Sequence, residues 1–157
     1  MPPARCTAAP FREATLLETA VLLRERKAAY ELGKHLTGIV ALGVSTSLHL
    51  INVARHLGSA ALRRGDRSEA RANYERALHW ATKIRFRPEI ALTRFELGKL
   101  MSAEIGKAGR SHAATALRSQ AQDHLDFVVE EFRTMKMKPA LEEALHHKRQ
   151  LNPMKTP

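Results

Sequence analysis

Eight histidines, sixteen carboxylates and one cysteine make metal binding and acid–base catalysis the first chemistries to consider in this chain. The spacings support neither. His146 and His147 are adjacent, so on a helix their side chains diverge by about 100° and share an ion poorly. His112 and His124 stand twelve residues apart with no carboxylate or cysteine partner at ligand spacing. His79, next to Trp80, and His56 read as packing or surface residues. Glu130-Glu131 and Glu142-Glu143 are neighbours of the kind that decorate solvated helix faces and first turns. Glu96 and Asp126 have no general-base partner, and Asp66 is explained as a helix cap. There is no nucleophile elbow and no glycine-rich phosphate loop. Cys6 is alone, which excludes an intrachain disulfide and a cysteine-based metal site. No residue is assigned to catalysis, to a metal or to a cofactor, and the sequence predicts a protein that is not an enzyme.

The elements that would position any site are helical. Hydrophobic residues make up 44% of the chain and aromatics only 5%, so the apolar content rests on Ala and Leu, which favour helices. The seven prolines leave 11–87 and 89–138 free of helix breakers. The most apolar patch, Leu36 to Val44, is too short to span a bilayer. With no apolar leader at the start, the expected location is the cytoplasm. A net charge of +10 favours acidic partners and non-specific contact with nucleic acid.

Two stripes repeat one another. Ala70, Tyr74, Ala77, Ala81 and Ile84 follow at spacings of 4, 3, 4 and 3, and so do Ala121, Leu125, Val128, Phe132 and Met135. Each is preceded by an apolar segment holding a Leu-Gly pair, Leu57-Gly58 and Leu97-Gly98. The chain therefore writes a helical hairpin twice. Arg64-Gly65-Asp66 closes one helix and opens the next, with Asp66 and Glu69 as a capping box. Pro88 and Glu89 open another helix, Ser111 is a cap, and Pro139 starts a short final helix. Phe11 to about Leu32 reads as one amphipathic helix. Residues 33–45, with three glycines, read as a loop or broken turn, and the conformation of 106–118 is left open.

The run Ala54-Arg55-His56-Leu57-Gly58, followed by Gly65, Ala70, Tyr74 and Ala77, resembles the tetratricopeptide repeat. With Ile51 as the first position, the family's Leu, Gly, turn Gly, Ala, aromatic and Ala fall on residues 57, 58, 65, 70, 74 and 77. The family's first aromatic is Ala54 here, and its closing proline would fall on Thr82. The second unit is longer: Leu57 to Leu97 is 40 residues and Ala70 to Ala121 is 51. Residues 46–149 also look like the C-terminal repeats of bacterial multidomain signalling ATPases, adenylate/guanylate cyclases and LuxR-type transcription regulators. The chain itself shows no phosphate loop, cyclase segment or helix-turn-helix reader.

This resemblance implies an all-α solenoid of two to three antiparallel hairpins. Its core would be Leu57, Gly58, Ala70, Tyr74, Ala77, Leu97, Gly98, Ala121, Leu125 and Phe132. Repeats would cover about 46–87 and 88–137 within one helical domain, 11–151, with a capping helix at 139–149. Residues 1–10 and 152–157 are expected to be disordered. The implied function is protein–protein interaction, through a concave face carrying Asn52, Arg55, Ser59 and Arg63 from one repeat and Leu92, Phe95, Lys99 and Ser102 from the next. Cations beside an exposed aromatic suit an acidic protein or peptide with one apolar anchor. Two other expectations compete with it. One is a detached tail of a larger regulator that self-associates, forming a homodimer through residues 11–32. The other is a basic helical protein that contacts nucleic acid without sequence preference.

Overall fold

In the computed structural model, which describes residues 9–41, 48–109 and 111–152, seven helices follow one another with no sheet among the described residues. They are α1 (Ala9–Leu22), α2 (Arg26–Ala41), α3 (Leu48–Arg64), α4 (Arg67–Lys83), α5 (Arg87–Ala108), α6 (His112–Thr134) and α7 (Lys138–Leu151). Helices α1 to α3, and α5 to α7, pack antiparallel on their neighbours in sequence. The all-α expectation holds.

The chain divides into two compact units, Met1–Ala77 and Leu78–Pro157, with the division falling inside α4. In the first, α1 packs on both α2 and α3. Leu17, Val21, Ala29, Leu36, Val53, Leu57 and Ala60 form its core. In the second, α6 packs on α5 and α7 around Phe95, Leu125, Val128, Phe132, Ala144 and Leu151. All ten residues expected to form the repeat core are buried.

One turn geometry stops four helices. Within two residues of the helix end the backbone adopts a positive φ, at Arg24, Gly65, Arg85 and Lys136. The next backbone N–H then donates back to a carbonyl five residues earlier: Glu25 to Ala20, Asp66 to Ala61, Phe86 to Ala81 and Met137 to Phe132. This satisfies carbonyls the helix end would otherwise leave bare. Glycine, the residue best suited to this conformation, occupies only the second of these positions, Gly65 at φ 91°.

Several boundaries differ from those expected. Residues 11–32 are not one helix: the chain reverses at Leu23–Glu25 through the Arg24 turn, and α2 begins at Arg26. The expected loop over 33–45 is helical as far as Ala41, because Leu36 is drawn into the core and Gly33 sits against Leu57; residues 42–47 lie outside those described. The insertion after Met101 lengthens α5 and brings forward the start of α6, where the Ser111 hydroxyl accepts from the Ala114 N–H at 3.2 Å. Half of the expected capping box forms. The Asp66 carboxylate accepts from the Glu69 N–H at 2.9 Å, but the Glu69 carboxylate turns to Arg64. The expected disordered segments include ordered residues: Ala9 and Pro10 begin α1, and Asn152 follows α7 with its amide tied to Gln122. Residues 1–8 and 153–157 lie outside the described residues.

Candidate interaction surface

The eight residues of the expected concave face fall four in each unit. In the first, the side chain of Asn52 lies outside those described. Arg55 is half-buried, and Arg63 is exposed. Ser59 is turned inward, its hydroxyl lying 3.3 Å from the Arg55 carbonyl and 3.2 Å from the Tyr74 hydroxyl. This follows from Gly58: Tyr74 crosses α3 where no Cβ stands, and its hydroxyl reaches the next residue along.

In the second unit the expected face loses its aromatic to the core, and Leu92, Lys99 and Ser102 are half-buried. Phe95 is only 3% exposed. Its ring meets Phe132 and His147 edge-on, with centroids 5.9 and 5.6 Å away, and the Lys99 ammonium lies 4.7 Å from its centre. Lys99 in turn pairs with Glu96 at 2.7 Å and Glu143 at 3.6 Å. Leu92 packs against the core, and the Ser102 hydroxyl donates to the Gly98 carbonyl at 2.7 Å. The exposed aromatic anchor expected at Phe95 is therefore corrected to a core residue. The cause is α7, which buries Ala144 and brings His147 and Glu143 over that side of α5. The same burial, with Lys99 nearby, lowers the His147 pKa.

No group of three His, Cys, Asp or Glu residues among those described could hold a metal ion. The Nε2 of His146 accepts from the Gln150 side-chain amide at 2.8 Å, and its ring meets His147 edge-on. His56 is a core residue beside Glu18, Nε2 to Oε1 3.6 Å. Burial, assisted by the Arg55 charge, pushes its pKa down to about 3, so the ring is neutral at ordinary pH. Glu18 is half-exposed and too well hydrated to reverse that. Thr93 is buried with no hydrogen-bond partner for its hydroxyl. No described helix is long and apolar enough to cross a membrane.

Two groups of exposed residues bear on binding. On α1 and the turn after it, Leu16, Leu22 and Leu23 keep 54%, 74% and 68% of their surface open. Around the α4–α5 and α6–α7 turns, Lys83, Arg85, Lys136 and Lys138 are exposed cations beside the half-exposed Ile84. Sequence reasoning passed over this second group. Its signal was present, since Arg85 and Lys136 stand 51 residues apart, the same offset that relates Ala70 to Ala121. Comparison with protein-family models finds no match, and neither does comparison with curated proteins.

Proposed function

We propose that this chain is a protein-interaction module of tetratricopeptide-like hairpins, and that its partner is an acidic protein segment with an apolar anchor. The observation that carries the reading is the α3–α4 hairpin. Gly58 and Tyr74, assigned from the repeat register, meet at the helix crossing, and Leu57, Ala70 and Ala77 are buried around them. Hairpins of this kind serve as rigid supports for side chains on their exposed positions. The charge of +10 selects for acidic partners. No catalytic role is assigned. A photo-crosslinking residue placed at Arg63 or Lys138 in the native host should capture a defined protein through an Asp/Glu-rich segment. Capture of nucleic acid alone, or of no discrete partner from either position, would refute the reading.

A second reading, self-association through residues 11–32, draws on the open leucines of α1 and its turn. Leu17 and Val21 are core residues, so that interface would use Leu16, Leu22 and Leu23. Light scattering decides it: a dimer converted to monomer by Leu16→Glu with Leu23→Glu supports self-association, and a wild-type monomer at micromolar concentration excludes it.

A further inference from the structure

The ion pair between Arg87 and Glu131, Nε to Oε2 3.0 Å, holds the start of α5 beside the last turn of α6. The α4–α5 and α6–α7 turns thus share one end of the second unit. They are written alike. Ile84-Arg85-Phe86-Arg87-Pro88 and Met135-Lys136-Met137-Lys138-Pro139 both alternate apolar and basic residues before a proline. Arg85 and Lys136 occupy the left-handed position, φ 56° and 57°, where glycine is the residue of least strain. Both turns place a long cation there instead.

Of the acids at this end, all but the exposed Glu142, one turn into α7, are already engaged or withdrawn. Glu131 holds Arg87, Glu130 holds Arg133 at 2.7 Å, and Glu89 is buried. Lys83, Arg85, Lys136 and Lys138 are exposed, and none pairs with a carboxylate among the described residues. The starts of α5 and α7 lie at the same end without a side-chain cap, and the first turn of α7 has no acid, so their dipoles add to the positive field. Between the cations stands Ile84, 49% exposed.

We propose that this basic rim docks an extended acidic segment of a partner protein. Its carboxylates would meet Arg85, Lys136 and Lys138, and an apolar side chain would cover Ile84. The inference rests on the protein-binding reading above and moves the contact from the expected concave face to the end of the second unit. A polypeptide fits better than a nucleic acid. Ile84 has no counterpart on a phosphate backbone, and the nearby rings offer no open stacking platform. Trp80 and Phe86 are half-buried, and the Lys83 ammonium sits 4.7 Å over the Trp80 ring. The α1–α2 turn supplies an internal control. It has the same backbone and the cations Arg24, Arg26 and Lys27, but an acid, Glu25, where the rim turns carry Phe86 and Met137.

The test is fluorescence anisotropy on the full chain with a labelled, Asp/Glu-rich peptide of about a dozen residues containing one leucine. The triple variant Arg85→Glu/Lys136→Glu/Lys138→Glu should weaken binding by about tenfold or more, and Arg24→Glu/Arg26→Glu/Lys27→Glu by about twofold or less. Replacing the peptide leucine by serine should weaken it a further few-fold on wild type. Glutamate at the start of α7 suits the helix dipole, so circular dichroism should show the rim variant unfolding no earlier than wild type. Equal losses in both triple variants would mean diffuse attraction and overturn the proposal. So would absence of peptide binding, or tighter rim-dependent binding of an oligothymidine of equal charge. Peptide binding lost in Arg55→Glu/Arg63→Glu but kept in the rim variant would overturn it too, while leaving the protein-binding reading intact.

Discussion

The α3–α4 and α5–α6 hairpins carry the same Leu-Gly pair and the same stripe on the second helix, yet they close on different principles. At Gly58 a Cβ would stand 2.5 Å from the Tyr74 ring, an approach no side-chain-bearing residue tolerates. At Gly98 the nearest atoms, from His124 and Leu125, would be 3.4 Å away, which is ordinary contact. An aromatic ring needs the glycine opposite; a leucine does not. The first crossing is thus a single tight lock with a hydroxyl on its far side, bonded to Ser59. The second distributes its packing over longer helices of 22 and 23 residues, ending in the perpendicular Phe95–Phe132 pair and α7. One motif can be kept in sequence while its physical purpose is lost at one of its two sites.

The largest effect that follows is at Tyr74. Tyr74→Ala should cost about 3–5 kcal/mol, because a fully buried ring leaves a cavity the rigid glycine crossing cannot fill. Tyr74→Phe removes only the hydroxyl and should cost roughly 0.5–1.5 kcal/mol. Leu125→Ala, at the equivalent place, should fall between the two. Urea unfolding midpoints measure all three, and a Leu125→Ala variant less stable than Tyr74→Ala would invert the comparison.

The units should also respond differently to acid. In the unfolded chain His56 takes up a proton near its ordinary pKa of 6.5, but in the fold it does so only near 3. The unfolded state therefore binds more protons throughout that interval, and stability falls as pH drops from about 6.5 to about 3. The loss amounts to a few kcal/mol and falls on the α1–α3 core. His56→Leu should flatten the dependence between pH 6.5 and 4, before the carboxylates titrate. An unchanged slope in that variant would show that His56 is hydrated in solution.

Gly58→Ala is next. Alanine gains roughly 1 kcal/mol of helix propensity over glycine, but the methyl collides with a ring that has nowhere to go. A net destabilisation of about 1–3 kcal/mol is expected, read from thermal or urea unfolding. Coupling to Tyr74 gives the stricter check, since in Tyr74→Ala the same substitution should become neutral or favourable.

Much of this architecture was legible in the residues. The two stripes, Gly65, Ser111 and the prolines at 88 and 139 located α3 to α7, because periodicity and caps are local signals. The break in the first helix was not legible. Arg24 takes a left-handed conformation without glycine, in a turn closed by the Glu25 N–H to Ala20 carbonyl bond and by the packing of α1 against α2 and α3. The candidate face was misjudged at Phe95 for a related reason. Register places a residue on a side of its helix, but whether that side is open depends on a later helix. Ser59 and Ser102 are half-buried, with hydroxyls bonded to the backbone one turn back, a local contact that register alone does not reveal.

The smallest expected effect is the most discriminating. If Gly98 only repeats the pattern of Gly58, Gly98→Ala should behave as an ordinary helix-interior substitution. Propensity favours it by roughly 1 kcal/mol. Contact with the His124 Cβ and Leu125 side chain at 3.4 Å needs little movement, because the Leu125 methyls can turn while the backbones stay in place. The Ser102 hydroxyl bonds the Gly98 carbonyl rather than its α-carbon, so that interaction survives. The variant should be within about 0.5 kcal/mol of wild type or slightly more stable. A loss as large as that of Gly58→Ala would mean that α5 and α6 approach as closely as α3 and α4 do, and the two crossings would then be one lock used twice.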